Sequence, residues 1–282
     1  METKGAWKKE FPSSFWSANT TELFERAAYY SMASFVVIYL GQLHLGDYWP
    51  STLNGLLWTL VYFLPILSGT IADQIGFRKS LLIACALLCA GYFMMGFPVW
   101  FGGAQLVDPV PDDAILSADV LVPIFAGILL IGVGGSIVKP CISGTVQKTA
   151  GRNATLAFAI FYMIINIGSV TGRAISYVVR TNFGLSFIFL VAMAAAAVAG
   201  LVVLLIYKDY DGTAGHVTAK PKKPIPVILK DMVLVLGNKR FALFLLVSSG
   251  FNFLYSQVYN VIPLYTKKVL ETNPAMDLYT MA

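Results

Sequence analysis

Long apolar runs recur along the chain, separated by shorter polar stretches, and each run is near the roughly 20 residues a helix needs to cross a bilayer core. Seven such segments are predicted: approximately Leu23 to Leu43, Leu53 to Ala72, Leu81 to Trp100, Leu121 to Ser143, Leu156 to Val179, Leu185 to Tyr207 and Phe241 to Tyr265. The first twenty residues, which begin METKGAWKKE, are polar and mixed and lack the apolar core of a signal peptide. The first span is therefore expected to anchor itself.

Composition strengthens the membrane reading. Hydrophobic residues make up 57% of the chain and charged residues 12%, where soluble domains carry roughly 25% charge; mean hydropathy is +0.71. Lysine and arginine are distributed unevenly. Lys4, Lys8 and Lys9 precede the first span, Arg78 and Lys79 follow the second, and Lys148 and Arg152 follow the fourth. Lys208, Lys220, Lys222, Lys223, Lys230, Lys239 and Arg240 follow the sixth. The alternate connections are poor in them: none lies around His44 to Ser51 or in the acidic stretch Asp108 to Asp119, and Arg180 stands alone after the fifth span. Lys267 and Lys268 depart from the pattern. Basic residues stay on the cytoplasmic side, so the N-terminus is predicted to be cytoplasmic.

These loops account for most of the net charge of +5, and no nucleic-acid partner is needed to explain it. Cys85, Cys89 and Cys141 fall inside predicted helices, with neither the number nor the spacing of a disulfide framework or zinc site. His44 and His216 fall in loops without a cysteine or acid at catalytic or metal spacing, and there is no phosphate-cradling loop. An enzyme is therefore not expected, nor a metal or a cofactor.

The longest polar segment, KDYDGTAGHVTAKPKKPIPVILKD from Lys208, carries glycine, proline and lysine and reads as a cytoplasmic linker. The expected organisation is a six-helix bundle over residues 1–207, a linker over 208–240 and the start of a second bundle, the seventh helix, over 241–282, its remainder absent. Secondary transporters are often built from six-helix halves, each an inverted pair of three-helix units. The chain fits an all-α membrane protein of that kind.

Polar residues inside the spans are the candidate chemistry. In ELFERAAYY, Glu22, Glu25, Arg26, Tyr29 and Tyr30 stand at offsets of 0, 3, 4, 7 and 8, one face of a helix. Ionisable groups near a bilayer are costly unless they pair or face a water-filled cavity. A stripe at the headgroup boundary is one reading; the tyrosine pair, which carries the stripe inward, favours a cavity. In the fourth span GVGGSIVKPC places Lys139 before a helix-perturbing Pro140, either facing the same cavity or snorkelling to the cytoplasmic edge. In the fifth, Tyr162, Asn166, Ser169 and Arg173 at offsets of 0, 4, 7 and 11 form another stripe, suited either to helix packing or to the cavity. Between the second and third spans, GTIADQIGFRK supplies Gly69, Ala72, Asp73, Gly76, Arg78 and Lys79: small residues for close helix ends, a glycine for a tight turn, and an acid able to accept hydrogen bonds from a helix N-terminus. That combination fits a cytoplasmic gate.

These motifs carry a family resemblance. GxxADxxGxRK resembles the loop motif of the major facilitator superfamily. ExxER followed by a tyrosine pair, Lys-Pro in the fourth span and FYxxINxGS in the fifth resemble the proton-dependent oligopeptide transporter family within it. The resemblance implies twelve or more helices, alternating access and proton-driven uptake of di- and tripeptides. It implies a proton-coupling role for Glu22, Glu25 and Arg26, substrate contact by Tyr29, Tyr30 and Asn166, and a lysine at Lys139 that pairs with the acids or with a peptide carboxylate. The sequence also departs from the family. Ala33 stands where bacterial members commonly have arginine, Ala27 where they have phenylalanine, and Ser256, between Tyr255 and Gln257, where an acid is frequent. Arg173 lies near a position often occupied by proline.

Three functions follow. A proton-coupled importer of di- and tripeptides in a bacterial cytoplasmic membrane is favoured, its partners being peptide, protons and the lipid bilayer. A family member carrying another small organic anion or peptide-like compound with altered coupling is the alternative, and a non-transporting membrane receptor or scaffold the second alternative.

Overall fold

The computed structural model describes residues 10–43, 45, 48–107, 117–210 and 224–260. Among these the chain is helical apart from turns and short connections. It divides into two units, one running to Thr213 and one from Ala214.

The first unit begins with α1 (Ser13–Ala33), which α2 (Val36–Gln42) continues after a break at Ser34 and Phe35. Pro12 starts α1 in extended geometry, as a residue without an amide hydrogen does at little cost. The helix thus begins ten residues before the predicted first span. Apolar counting misses this turn because Ser17, Asn19, Thr20 and Thr21 look polar, yet each returns a side-chain hydrogen bond to a carbonyl three or four residues back, at 2.9–3.2 Å. Polar groups satisfied inside their own helix can be buried. The second span is bent by 45° between α3 (Tyr48–Phe63) and α4 (Pro65–Ile75). Pro65 opens α4 and supplies the reason, since proline cannot donate to the preceding turn.

The next spans agree with the apolar runs and overshoot them: α5 (Phe77–Trp100), α6 (Ala118–Thr149) and α7 (Ala154–Phe183). A 3₁₀ turn, Leu185–Phe187, leads into α8 (Ile188–Leu205). Four of these helices, or five with the bent pair, are long and apolar enough to cross a membrane; α1 is not among them because it carries the charged cluster. In the second unit, α9 (Ile225–Val235) falls inside the stretch expected to be linker. Its apolar PVIL and MVLV outweigh the prolines, which sit at its start where they are tolerated. The seventh helix is α10 (Lys239–Asn260); its predicted end to Tyr265 lies outside the described residues.

Packing in the first unit follows the repeat. α1 of the first triplet packs on α7 and α8 of the second, while α6 of the second packs on α3, α4 and α5 of the first. The first and fourth spans therefore each sit against helices of the other predicted triplet. Small residues allow the closest approaches. A Cβ added to Gly168 would stand 2.6 Å from the Leu23 carbonyl oxygen, and one on Gly127 would stand 3.0 Å from that of Gly91. Without a hydrophobic force between helices in lipid, such backbone contact is a main source of association.

Candidate functional site

The acids and arginine of α1 form one buried cluster. Glu22 is 0% and Glu25 1% exposed. Arg26 Nε donates to Glu25 Oε2 at 2.6 Å, and its terminal nitrogen lies 2.6 Å from the same oxygen. Glu22 Oε1 is 3.4 Å from Arg26 Nε, one turn away. Glu25 Oε1 has no hydrogen-bond partner among the described residues. Two carboxylates facing one guanidinium leave an excess negative charge when both are ionised, and burial makes that costly. The cluster balances when one carboxylate takes a proton or when a second cation approaches.

Lys139 on α6 is the candidate for that second cation singled out by the sequence. It acts electrostatically on Glu22, Glu25 and Arg26, although both ion pairs among the described residues belong to Arg26. Its side chain is exposed on α6, just before Pro140.

The tyrosines continue the site. Tyr29 and Tyr30 meet edge to face, with centroids 5.3 Å apart. The Arg26 guanidinium lies 5.2 Å from the Tyr29 ring centre, and that of Arg173 lies 4.9 Å from the Tyr30 ring centre. Arg173 is thus buried on α7 and brought to the α1 stripe, separately from Arg180, which lies 5.1 Å from the Phe35 ring centre. The predicted fifth-span stripe divides. Ser169 and Arg173 are buried with the close-packing glycines, whereas Tyr162 and Asn166 are exposed within this unit. Tyr162 and Asn166 are therefore not brought into contact with the charged cluster; they present polar groups on a free face.

Gly76 has φ +94° between α4 and α5, a conformation that L side chains rarely adopt. Sequence reasoning gave Asp73 the task of accepting hydrogen bonds from a helix start. Asp73 is exposed, and the acid that does this is Asp209, whose Oδ1 accepts the Arg78 amide at 2.9 Å. The Arg78 side chain in turn donates to the Leu204 carbonyl at 2.8 Å and reaches that of Val203 at 3.4 Å, at the C-terminus of α8. The exchange is reciprocal: an acid at one helix start and an arginine at another helix end, each favoured by the local dipole. Asp209 was missed because nothing in its neighbourhood, KDYDG, marks which turn it meets.

Two aromatic groups were also overlooked. Trp58 and Tyr62 on α3 stack with ring centroids 5.4 Å apart. Tyr92 on α5 is fully buried, and its hydroxyl has no hydrogen-bond partner among the described residues.

Comparison with known proteins gives a consistent result. The Major Facilitator Superfamily profile matches residues 114–282. Dipeptide and tripeptide permease B of Photorhabdus asymbiotica is 27% identical over 232 residues, 80% of this chain and 42% of that protein. The permease of the same name from Salmonella typhimurium is 26% identical over 239 residues, 83% of this chain and 44% of that protein. The chain thus spans less than half the length of these relatives. Among solved structures, the peptide transporter POT in complex with sulfate aligns with TM-score 0.60 at 22% identity, covering 84% of this chain and 46% of that one; this likeness speaks for the fold. Matched by the profile over more than half its length, the chain is an all-α integral membrane protein that belongs to the major facilitator superfamily.

Proposed function

We propose that the protein containing this chain imports di- and tripeptides together with protons by alternating access. The observation that carries the reading is the buried cluster in which Glu22 and Glu25 share Arg26. Such a cluster has two ways to neutralise its second carboxylate: a proton, or a cation such as Lys139. Binding of a peptide carboxylate by Lys139 withdraws that cation, and a proton on an acid restores the balance, so proton and substrate occupancy become linked. Tyr29, Tyr30, Tyr162, Asn166 and Arg173 are assigned to substrate contact, and Asp73, Gly76 and Arg78 to the cytoplasmic gate. Peptide transport is supported by the names of the permeases that the chain resembles.

The reading places the protein in a bacterial cytoplasmic membrane with its N-terminus inside, in keeping with the bacterial sources of those relatives and the charge distribution of the loops. It treats residues 1–207 as one bundle, 208–240 as the connection, with α9 in it, and 241–282 as the start of a second bundle. The test is uptake into proteoliposomes containing the full-length protein. Glu25→Gln is expected to abolish accumulation driven by a pH gradient while preserving exchange of internal for external dipeptide. Undiminished accumulation in that variant rules Glu25 out. Orientation is checked by a thiol-reactive label on Asp112→Cys, expected to react from outside without permeabilisation.

A further inference from the structure

The helix ahead of the seventh span carries more apolar surface than a connection between bundles needs. Along α9 and its cap, Ile225, Ile228, Leu229, Met232, Val235 and Leu236 stand at offsets of 0, 3, 4, 7, 10 and 11, one stripe of a helix. Lys230 and Asp231, the only charged residues of α9, fall off that stripe. The run from Val233 to Leu236 is exposed, Val233 by 67%. Four consecutive exposed apolar residues are a surface that calls for a cover.

The position of α9 in the chain says what the cover is. Only Leu236, Gly237 and Asn238 separate α9 from α10. Their amides close back on the carbonyls of Val233, Leu234 and Val235 at 3.0–3.1 Å, ending α9 in a tight turn. Asn238 Oδ1 then accepts from the amides of Arg240 and Phe241 at 3.2 and 3.4 Å and starts α10 afresh. The two helices therefore do not merge. With α10 as the seventh span, Lys239 and Arg240 mark where the chain enters the bilayer. At the roughly 2 Å per residue of such a turn, the end of α9 stays about 8 Å from that point, on the scale of the headgroup layer.

Charge agrees with position. Lys220, Lys222 and Lys223 lie ahead of α9, Lys230 within it, and Lys239 and Arg240 behind it, against one acid, Asp231. Topology alone asks for basic residues near a span, but it does not ask for an aliphatic stripe between them. A membrane surface carrying negative charge matches both features.

We infer that α9 is an interfacial helix: its stripe lies at the headgroup and acyl boundary of the leaflet from which α10 starts, and the flanking basic residues bind anionic phospholipid headgroups there. The inference rests on the reading of α10 as a span; on the proposed topology the leaflet is the cytoplasmic one. The connection between the bundles is then fastened to lipid rather than free in water.

The test is spin labelling of the full-length protein in vesicles of phosphatidylcholine with and without phosphatidylglycerol. Single cysteines replace residues 225–236 in turn, and the signal of the unsubstituted chain, whose Cys85 and Cys141 are buried, is subtracted. Access to oxygen, which dissolves in lipid, and to a water-soluble nickel chelate should alternate with the helical period. Labels at Ile228, Leu229 and Met232 are expected to favour oxygen, about 5–10 Å below the phosphates, and labels at Lys230 and Asp231 to favour nickel. Changing Lys220, Lys222 and Lys223 to glutamine should lower the ratio of immersed to free label at Met232 roughly fivefold for each charge lost in the anionic vesicles, and leave it unchanged in phosphatidylcholine alone. Stripe labels reached by nickel in both lipids overturn the inference, because the helix is then in water. Stripe labels shielded from both reagents overturn it as well, because protein then covers the stripe. Immersion that ignores phosphatidylglycerol overturns the anionic partner. A label at Val247 of α10 reached by nickel sinks the reading of α10 as a span instead, while the α9 labels still judge the interface.

Discussion

Gly172 of α7 lies directly against the backbone of Ala27 of α1: a Cβ placed on it would overlap the Ala27 carbonyl oxygen. One turn earlier, Gly168 meets Leu23 and the Cβ of Arg26 in the same way. This seam fixes the helix that carries the charged cluster to the helix that carries Arg173. Replacing Gly172 with valine is expected to push the helices apart and to destabilise the bundle by about 1–3 kcal/mol, read as a lower Tm in detergent. Gly41→Ala, with nothing within 4 Å of the new methyl group, serves as the comparison and should melt within a degree or two of wild type.

Removing Arg26 leaves two buried carboxylates without their shared cation. Arg26→Met is expected to destabilise by about 3–5 kcal/mol, the cost of breaking a buried ion pair from one side. Adding Glu22→Gln and Glu25→Gln to the same chain should recover much of that loss. A single Arg26→Met variant as stable as wild type would show that the cluster does not hold charge in the folded protein.

Arg173 sets a planar guanidinium 4.9 Å from the Tyr30 ring centre, and the proposed function assigns it to substrate contact. Arg173→Lys keeps the charge but loses the stacked, two-pronged geometry, so dipeptide affinity should fall, and Arg173→Ala should lower it further. Binding of a C-terminally amidated dipeptide separates roles. Amidation should cost affinity in wild type and little more in Arg173→Ala; an equal penalty in both leaves Lys139 as the carboxylate's basic partner.

Gly76 joins α4 to α5 at φ +94°, and a Cβ there would also come within 3.3 Å of Asp209 Oδ2. Gly76→Ala is expected to cost about 1–3 kcal/mol through backbone strain. Asp209→Ala removes only an exposed helix-start acceptor, for which about 0.5–1 kcal/mol is the expected loss. Thermal melts of the two variants test the order, which a larger effect at Asp209 would reverse.

The sequence by itself determined the membrane class, the order of the helices over most of the apolar runs, and the residues of the α1 cluster. Apolar runs of bilayer length and ionisable residues at helical spacing are local signals, readable without knowing what packs on what. Its limits were also physical. Serine, threonine and asparagine that satisfy themselves within α1 concealed that helix's first ten residues, and an apolar run flanked by prolines concealed α9. Only the tertiary structure decided which spans adjoin: that glycines at 168 and 172 draw α7 onto α1 and so bring Arg173 to Tyr30, and that Asp209 rather than Asp73 meets the start of α5. Each of these joins residues far apart in the chain, and contact across a helix interface depends on side-chain size and packing, which no single-segment pattern records.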